Sequence, residues 1–285
     1  MKRIGITTDC VCDLPDDYLR LHDIGIVYFY ITTDRGHFKD GYEITSGNII
    51  EYLEDGGEKA ETNAPEPKEY RDFFHGRLKK YDELIHISIS SKVSLSYKNA
   101  TTSLALMGGE AKKIHVIDSK HLSTGMGHLV IKAVEMRDLG KSVEEICGES
   151  ENLIRRISTS FITYNADYLY RNGRVSKFVR DLSSTLKVHP ILTLKDGAIV
   201  LKTLKIGNYE KSVAGYIRGE LRHSGKIEKR RVFITHAGCA VKMIADVKEQ
   251  VERRCAFEEV VVTKASATIS GNCGPGTVGV LFIYE

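Results

Sequence analysis

Leu84-Ile85-His86-Ile87-Ser88-Ile89-Ser90-Ser91-Lys92-Val93-Ser94-Leu95-Ser96-Tyr97-Lys98-Asn99-Ala100 is the stretch whose pattern decides the architecture. Its apolar, β-branched start is long enough for one buried strand. Serines follow at 90, 91, 94 and 96, and helical spacing then runs through Tyr97, Ala100, Leu104 and Met107. A strand that ends in hydroxyls just before a helix N-terminus suits an anion, because free backbone N–H groups and the helix dipole both point there. In open parallel sheets, ligands sit beyond the carboxyl ends of the strands. The same serines also serve as ordinary turn and N-cap residues, and locally the two readings stand side by side.

Outward from this stretch, strand and helix patterns alternate. Arg3 to Thr8 reads as a strand, with Asp13 as N-cap candidate and Pro15 near the first helical position. Residues 24–31 read as a second strand, closed by an Asp34-Arg35-Gly36 turn, and Thr45 or Ser46 caps a short helix. Pro65 and Pro67 pin an extended loop before a helix through Tyr70, Phe73, Phe74 and Leu78. Lys113 to Ile117 is a further strand ending in Asp118-Ser119. Residues 122–139 predict an amphipathic helix, and Ser142 with Glu145 forms a capping box for the next one. This alternation argues for a parallel α/β domain over residues 1–157.

Residues 158–285 read differently. Strands at Ile191–Lys195 and Ala198–Thr203 flank an Asp196-Gly197 turn. Helices near 209–223 and 240–254 surround a strand at Arg231–Thr235, and two more strands follow at Glu259–Thr263 and Val278–Tyr284. The expectation is an α+β domain with a partly antiparallel sheet, and a ligand cleft between the two domains.

The chain has 285 residues, 42% hydrophobic and 28% charged, with a net charge of +3. That balance fits an ordinary globular protein and gives no electrostatic case for nucleic acid. No apolar run approaches the length needed to span a bilayer. The Lys2-Arg3 start is too short for a signal peptide, so a cytoplasmic location with six reduced cysteines is expected. Cys10 and Cys12 are the one close pair, and no zinc ligand set completes around them. No metal and no cofactor are expected.

Polar turns recur at Thr8-Asp9, Thr62-Asn63, Ser90 to Ser96, Asp118-Ser119 and Gly271-Asn272-Cys273-Gly274-Pro275-Gly276. The last lets backbone approach a ligand closely, but it has neither a Walker lysine nor a dinucleotide fingerprint. His189 and His236 are candidate bases for a phospho- or acyl-transfer enzyme. Lone histidines are more often structural.

Taken together, these turns resemble the DegV family of bacterial fatty-acid-binding proteins. The match runs through Thr8-Asp9-Cys10-Val11-Cys12-Asp13-Leu14-Pro15, Thr62-Asn63-Ala64-Pro65, Ser94-Leu95-Ser96-Tyr97, Ile117-Asp118-Ser119, Tyr168-Leu169-Tyr170-Arg171-Asn172-Gly173-Arg174, Pro190-Ile191-Leu192 and Gly274-Pro275-Gly276. The resemblance implies two α/β domains burying an acyl chain, whose carboxylate is presented to the ATP-binding subunit of a fatty-acid kinase. By position it implies Thr62, Ser94 and Asn272 at the carboxylate. Asp9, Cys10, Ser96 and Gly274 are further head-group or pocket candidates. Arg171 and Arg174 are expected in partner docking or acyl-phosphate stabilisation. The sequence departs from the family's usual Ser at Cys10, Ser-Gln at Asn63-Ala64, Gly-Thr at Leu95-Ser96, Lys at His189 and His at Asn272. These departures are expected to cluster around the head-group end. The competing readings are the transfer enzyme in the same cleft and a binder of a different lipid. A buried tail supplies about 0.8 kcal/mol per CH₂, and a few donors offset the desolvation of the carboxylate.

Overall fold

The computed structural model describes residues 2–57, 60–184 and 187–285. Strand β1 (Ile4–Asp9) passes through a 3₁₀ turn at Cys10–Cys12 into helix α1 (Asp16–Leu21), followed by β2 (Gly25–Val27). A hairpin of β3 (Tyr30–Thr33) and β4 (Gly36–Lys39) leads to α2 (Ser46–Glu54), β5 (Glu61–Asn63) and α3 (Pro67–Leu78). The opening stretch forms β6 (Glu83–Ser88) and α4 (Ser96–Leu104). After it come β7 (Ile114–Asp118), α5 (Ser123–Asp138) and α6 (Val143–Ile154). The second half runs β8 (Ile157–Ile162), α7 (Asp167–Arg171), α8 (Lys177–Ser183), β9 (Val188–Lys195), β10 (Ala198–Ile206) and α9 (Tyr209–Glu220). It ends with β11 (Arg231–Ala237), α10 (Val241–Arg254), β12 (Glu259–Lys264), α11 (Ala267–Cys273) and β13 (Thr277–Ile283).

Among the described residues the strands form three sheets. One is all parallel, in the order β2-β1-β6-β7. A second runs β10-β9-β8-β13-β11-β12 and is antiparallel except for the β11–β12 pair. The mixed α/β class expected from the sequence is what the chain adopts. The third sheet, β4-β3-β5, was not foreseen. The single strand expected over 24–31 is two. Tyr28 and Phe29 break it, β2 stays in the parallel sheet, and β3 leaves to pair with β4 and β5. An unbroken apolar run carries no mark of the point at which its hydrogen-bonding partners change.

Helix α5 corrects a second expectation. It is not amphipathic: every residue from Ser123 to Ile131 is buried, as are Ala133 and Val134. It packs on β1 and β6 on one side and on β8, β11 and β13 on the other, so it is the layer shared by the two large sheets. A helix buried all round loses the one-sided stripe. Its glycines permit the close fit: a Cβ on Gly125 would stand 2.0 Å from Thr159 Oγ1. One apolar cluster runs across this helix, from Ile4 and Ile6 through Leu129 and Val130 to Phe233 and Leu281.

Asp13 is not the cap of α1. It adopts a left-handed conformation, and Pro15 precedes the helix without a side-chain cap. Its carboxylate instead accepts from Ser123 Oγ and, at 2.8 Å, from Ser266 N. Of the two candidates Thr45 caps α2, through a capping box the sequence did not announce, and Ser142 with Glu145 forms the expected capping box of α6.

Candidate functional site

The β6–α4 loop is drawn into the seam between the halves. Ser90 N–H donates to His121 O at 2.9 Å, and Ser90 Oγ donates to Gly197 O at 2.7 Å, docking the β9–β10 turn onto it. Ser91 is an outer turn residue bonded to Asp118. The bland reading therefore holds for Ser90 and Ser91. Ser94 is a turn residue as well, its Oγ accepting from Ser96 N–H, and it also lines a cavity.

That cavity is walled by Thr62 from β5, Ile89 and Ser94 from the β6–α4 loop, Arg174 after α7, and Thr268 and Asn272 from α11. It adjoins a second space, since Leu122, Ile269 and Cys273 line both. The second chamber has hydroxyl residues around it, yet each is occupied within the protein. Ser123 donates to Asp13, Thr159 bonds His121, and Ser160 bonds Tyr216. Thr235 bonds Thr124 and Thr263, and Thr277 donates to Cys273 O. With their hydroxyls so engaged, these residues leave methyl and methylene surface for a guest.

The first cavity is the reverse case. Asn272 is buried and donates through Nδ2 to Thr62 Oγ1 at 3.1 Å and to Thr268 O at 2.8 Å. Because Thr62 accepts that bond, its own O–H is left to donate elsewhere. Ser94 Oγ likewise accepts from Ser96 N–H at 3.2 Å and keeps its proton. Arg174 is half-buried, and burial pulls its pKa down. Its guanidinium has no ion-pair partner among the described residues. Three donors with no acceptor among the described residues thus line one space.

The position of α11 is set from the N-terminal half. Asp40 accepts from Ala267 N at 3.0 Å and from Thr268 N at 2.9 Å, next to the Asp13–Ser266 contact. Burial lifts the Asp13 carboxyl to about 7 and raises Asp40 as well. Both aspartates hold the start of the helix that carries Thr268 and Asn272, and the sequence reading gave neither this role. Asp13 carried only an N-cap signal, and nothing local to Asp40 marked it.

The other expected residues lie elsewhere. Asp9 is fully buried in a closed network. It accepts from Tyr70 Oη at 2.9 Å, Ser88 Oγ at 3.0 Å, Ser96 Oγ at 2.7 Å and Ile89 N at 2.8 Å, with His86 Nε2 at 3.5 Å. Burial pushes its carboxyl up, but His86, Ser96 and Ile89 outweigh burial and hold it below the usual range. Ser96 belongs to that network and not to the cavity wall. Cys10 accepts from Phe29 N–H and approaches Asp40; burial raises its thiol well above the usual value. Gly274 ends α11 at φ +80°, where a Cβ would meet the Tyr168 ring at 2.3 Å, so its need is steric. The expected Gly-rich turn is in part helical, since Gly271, Asn272 and Cys273 form the last turn of α11. Arg171 is exposed, with its guanidinium 6.0 Å from the Tyr168 ring centroid.

Of the departures from the family pattern, Asn272 alone lines the cavity. Leu95 is exposed, and Cys10 and His189 are engaged elsewhere, so the expected clustering at the head group is not found. Both His189 ring nitrogens lie against backbone carbonyls, Tyr164 O at 2.9 Å and Gly207 O at 3.0 Å, which leaves neither for a substrate. His236 lines the second chamber and accepts from Cys239 N–H through Nδ1. The six cysteines are free thiols. Among the described residues no cluster of metal-ligating side chains occurs, and no helix is long and apolar enough to cross a membrane.

Comparison with known proteins matches residues 3–285 to a family model described as an uncharacterised protein of the DegV family. A DegV domain-containing protein of Caldanaerobacter subterraneus subsp. tengcongensis is 30% identical over 283 residues, covering 99% of each chain. The structure of a fatty-acid-binding DegV family protein from Thermus thermophilus superposes with a TM-score of 0.90 at 27% identity. The match covers 99% of this chain and 100% of that one. A DegV family protein from Eubacterium eligens, loaded with heptadecanoic acid, has the same fold: TM-score 0.86 at 22% identity, covering 99% and 100%.

Proposed function

The chain belongs to the DegV family, and on that premise we propose that it is a cytoplasmic carrier that buries a long-chain fatty acid between residues 1–157 and 158–285 and presents the carboxylate to the ATP-binding subunit of a partner kinase. The observation that carries this reading is the pairing of the two spaces. One end offers the Thr62 and Ser94 hydroxyls and the Arg174 guanidinium, none of them engaged with an acceptor among the described residues. The adjoining chamber offers hydrocarbon surface. A carboxylate needs a few charge-assisted donors to offset its desolvation, and the tail gains about 0.8 kcal/mol per buried CH₂. The site thus has separate places for the two ends of an amphiphile.

In this reading Arg174 moves from partner docking to the head group, where a planar guanidinium suits a carboxylate or an acyl phosphate. Arg171, exposed on the same segment, keeps the docking role. The carrier is not itself the catalyst; phosphoryl transfer belongs to the partner. Native mass spectrometry of the purified protein tests the binding step: one long-chain acid per chain is expected, and lipid-free protein that takes up no added palmitate would overturn it. Arg171→Ala tests the presenting step. It should slow acyl-phosphate formation by a fatty-acid kinase and leave lipid affinity unchanged.

A further inference from the structure

Asn272 adds something that a carboxylate does not use. Its Nδ2 faces the carbonyl of Thr268 at 2.8 Å, and a carbonyl only accepts, so the amide orientation is fixed. The second Nδ2 proton goes to Thr62 Oγ1. Oδ1 is then the free atom of a side chain only 8% exposed, and it is buried with no hydrogen-bond partner among the described residues. Asn272 lines the same cavity as Thr62, Ser94 and Arg174. Left bare, a buried carbonyl oxygen is costly. An ionised carboxylate cannot relieve it, because both of its oxygens only accept.

We propose that Asn272 Oδ1 takes a hydrogen bond from the ligand, so that this site selects acyl head groups carrying an O–H or N–H donor beside the carbonyl. The carbonyl of such a head group meets the Thr62 and Ser94 hydroxyls, and its donor meets Asn272. This inference rests on the proposed acyl-binding function and concerns the form of head group that binds tightest: the protonated acid, or another acyl head that carries a donor. A site built to pair a donor discriminates against the analogue that lacks one, since its own acceptor then stays unpaired.

The test uses three ligands of one chain length: palmitic acid, palmitamide and methyl palmitate. Amide and ester are both uncharged and both carry the carbonyl; they differ in the donor. On the wild-type protein the amide should bind at least about tenfold tighter than the ester, as expected when a buried acceptor gains its partner. In Asn272→Leu, which removes the acceptor at similar volume, the two should come within about threefold of each other. If Asn272→Leu does not fold, the wild-type ratio decides alone. Equal binding of amide and ester by the wild type, or a ratio unchanged in Asn272→Leu, overturns the inference while palmitic acid still binds. Failure of all three ligands to bind overturns the proposed function instead.

Discussion

Two clusters of hydroxyls and polar side chains look alike in the sequence and differ in the folded chain. One surrounds Asp9, where Tyr70, Ser88, Ser96 and Ile89 supply four donors to one buried carboxylate. The other surrounds the cavity, where Thr62, Ser94 and Arg174 present donors that no described residue accepts. A buried polar group is stable when paired. The first cluster is therefore a fastening, and on the proposed function the second receives a ligand's polar end. Saturation of hydrogen bonds, more than residue type, separates structure from function here.

The comparison breaks most readily at Asp9. Asp9→Ala leaves four donors and His86 without that acceptor; at about 1–3 kcal/mol for each buried donor left unpaired, the loss amounts to several kcal/mol. Denaturant unfolding should show a loss of that size with lipid affinity per folded molecule unchanged; altered affinity at full stability would place Asp9 in the site.

Asp13 sharpens the comparison through pH. Its folded carboxyl titrates at about 7 because of burial, above the roughly 3.9 of an unfolded aspartate. The folded state thus holds its proton more tightly, and this contribution is fully present below about pH 4 and is lost as pH rises to about 7. The loss is about 4 kcal/mol. Thermal unfolding across that window should show it, and Asp13→Asn, with no proton to lose, should flatten the decline. Parallel pH profiles in the two proteins would contradict the assignment.

Arg174→Ala comes next. A hydrogen bond to a charged group contributes about 1.5–3 kcal/mol, so fatty-acid affinity should fall roughly 10- to 100-fold in a displacement titration, with the melting temperature nearly constant. Unchanged affinity with slowed phosphorylation would return Arg174 to partner docking.

The smallest effect belongs to Ser94→Ala. One neutral donor is lost, about 1 kcal/mol, and binding should weaken about fivefold without unfolding the chain. A lower melting temperature with intact affinity would make Ser94 a cap for the turn below Ser96.

The sequence by itself determined much of the order of elements, because hydrophobic period and capping signals are local. Strand β6, the Thr45 and Ser142 caps and the Asp196-Gly197 hairpin are legible in a few residues each. The landmarks from Thr8 to Gly276 were enough for the family. The tertiary structure alone decided which polar turns face each other. Thr62 and Asn272 are 210 positions apart and meet at 3.1 Å. Asp13 and Ser266, 253 apart, meet at 2.8 Å. It also decided that the run over 24–31 divides between two sheets and that α5 is buried all round from Ser123 to Ile131. The physical reason is the same in each case. A hydroxyl or carboxylate is written identically whether its bonds are filled or free, and only the packing of distant segments supplies, or withholds, the partner.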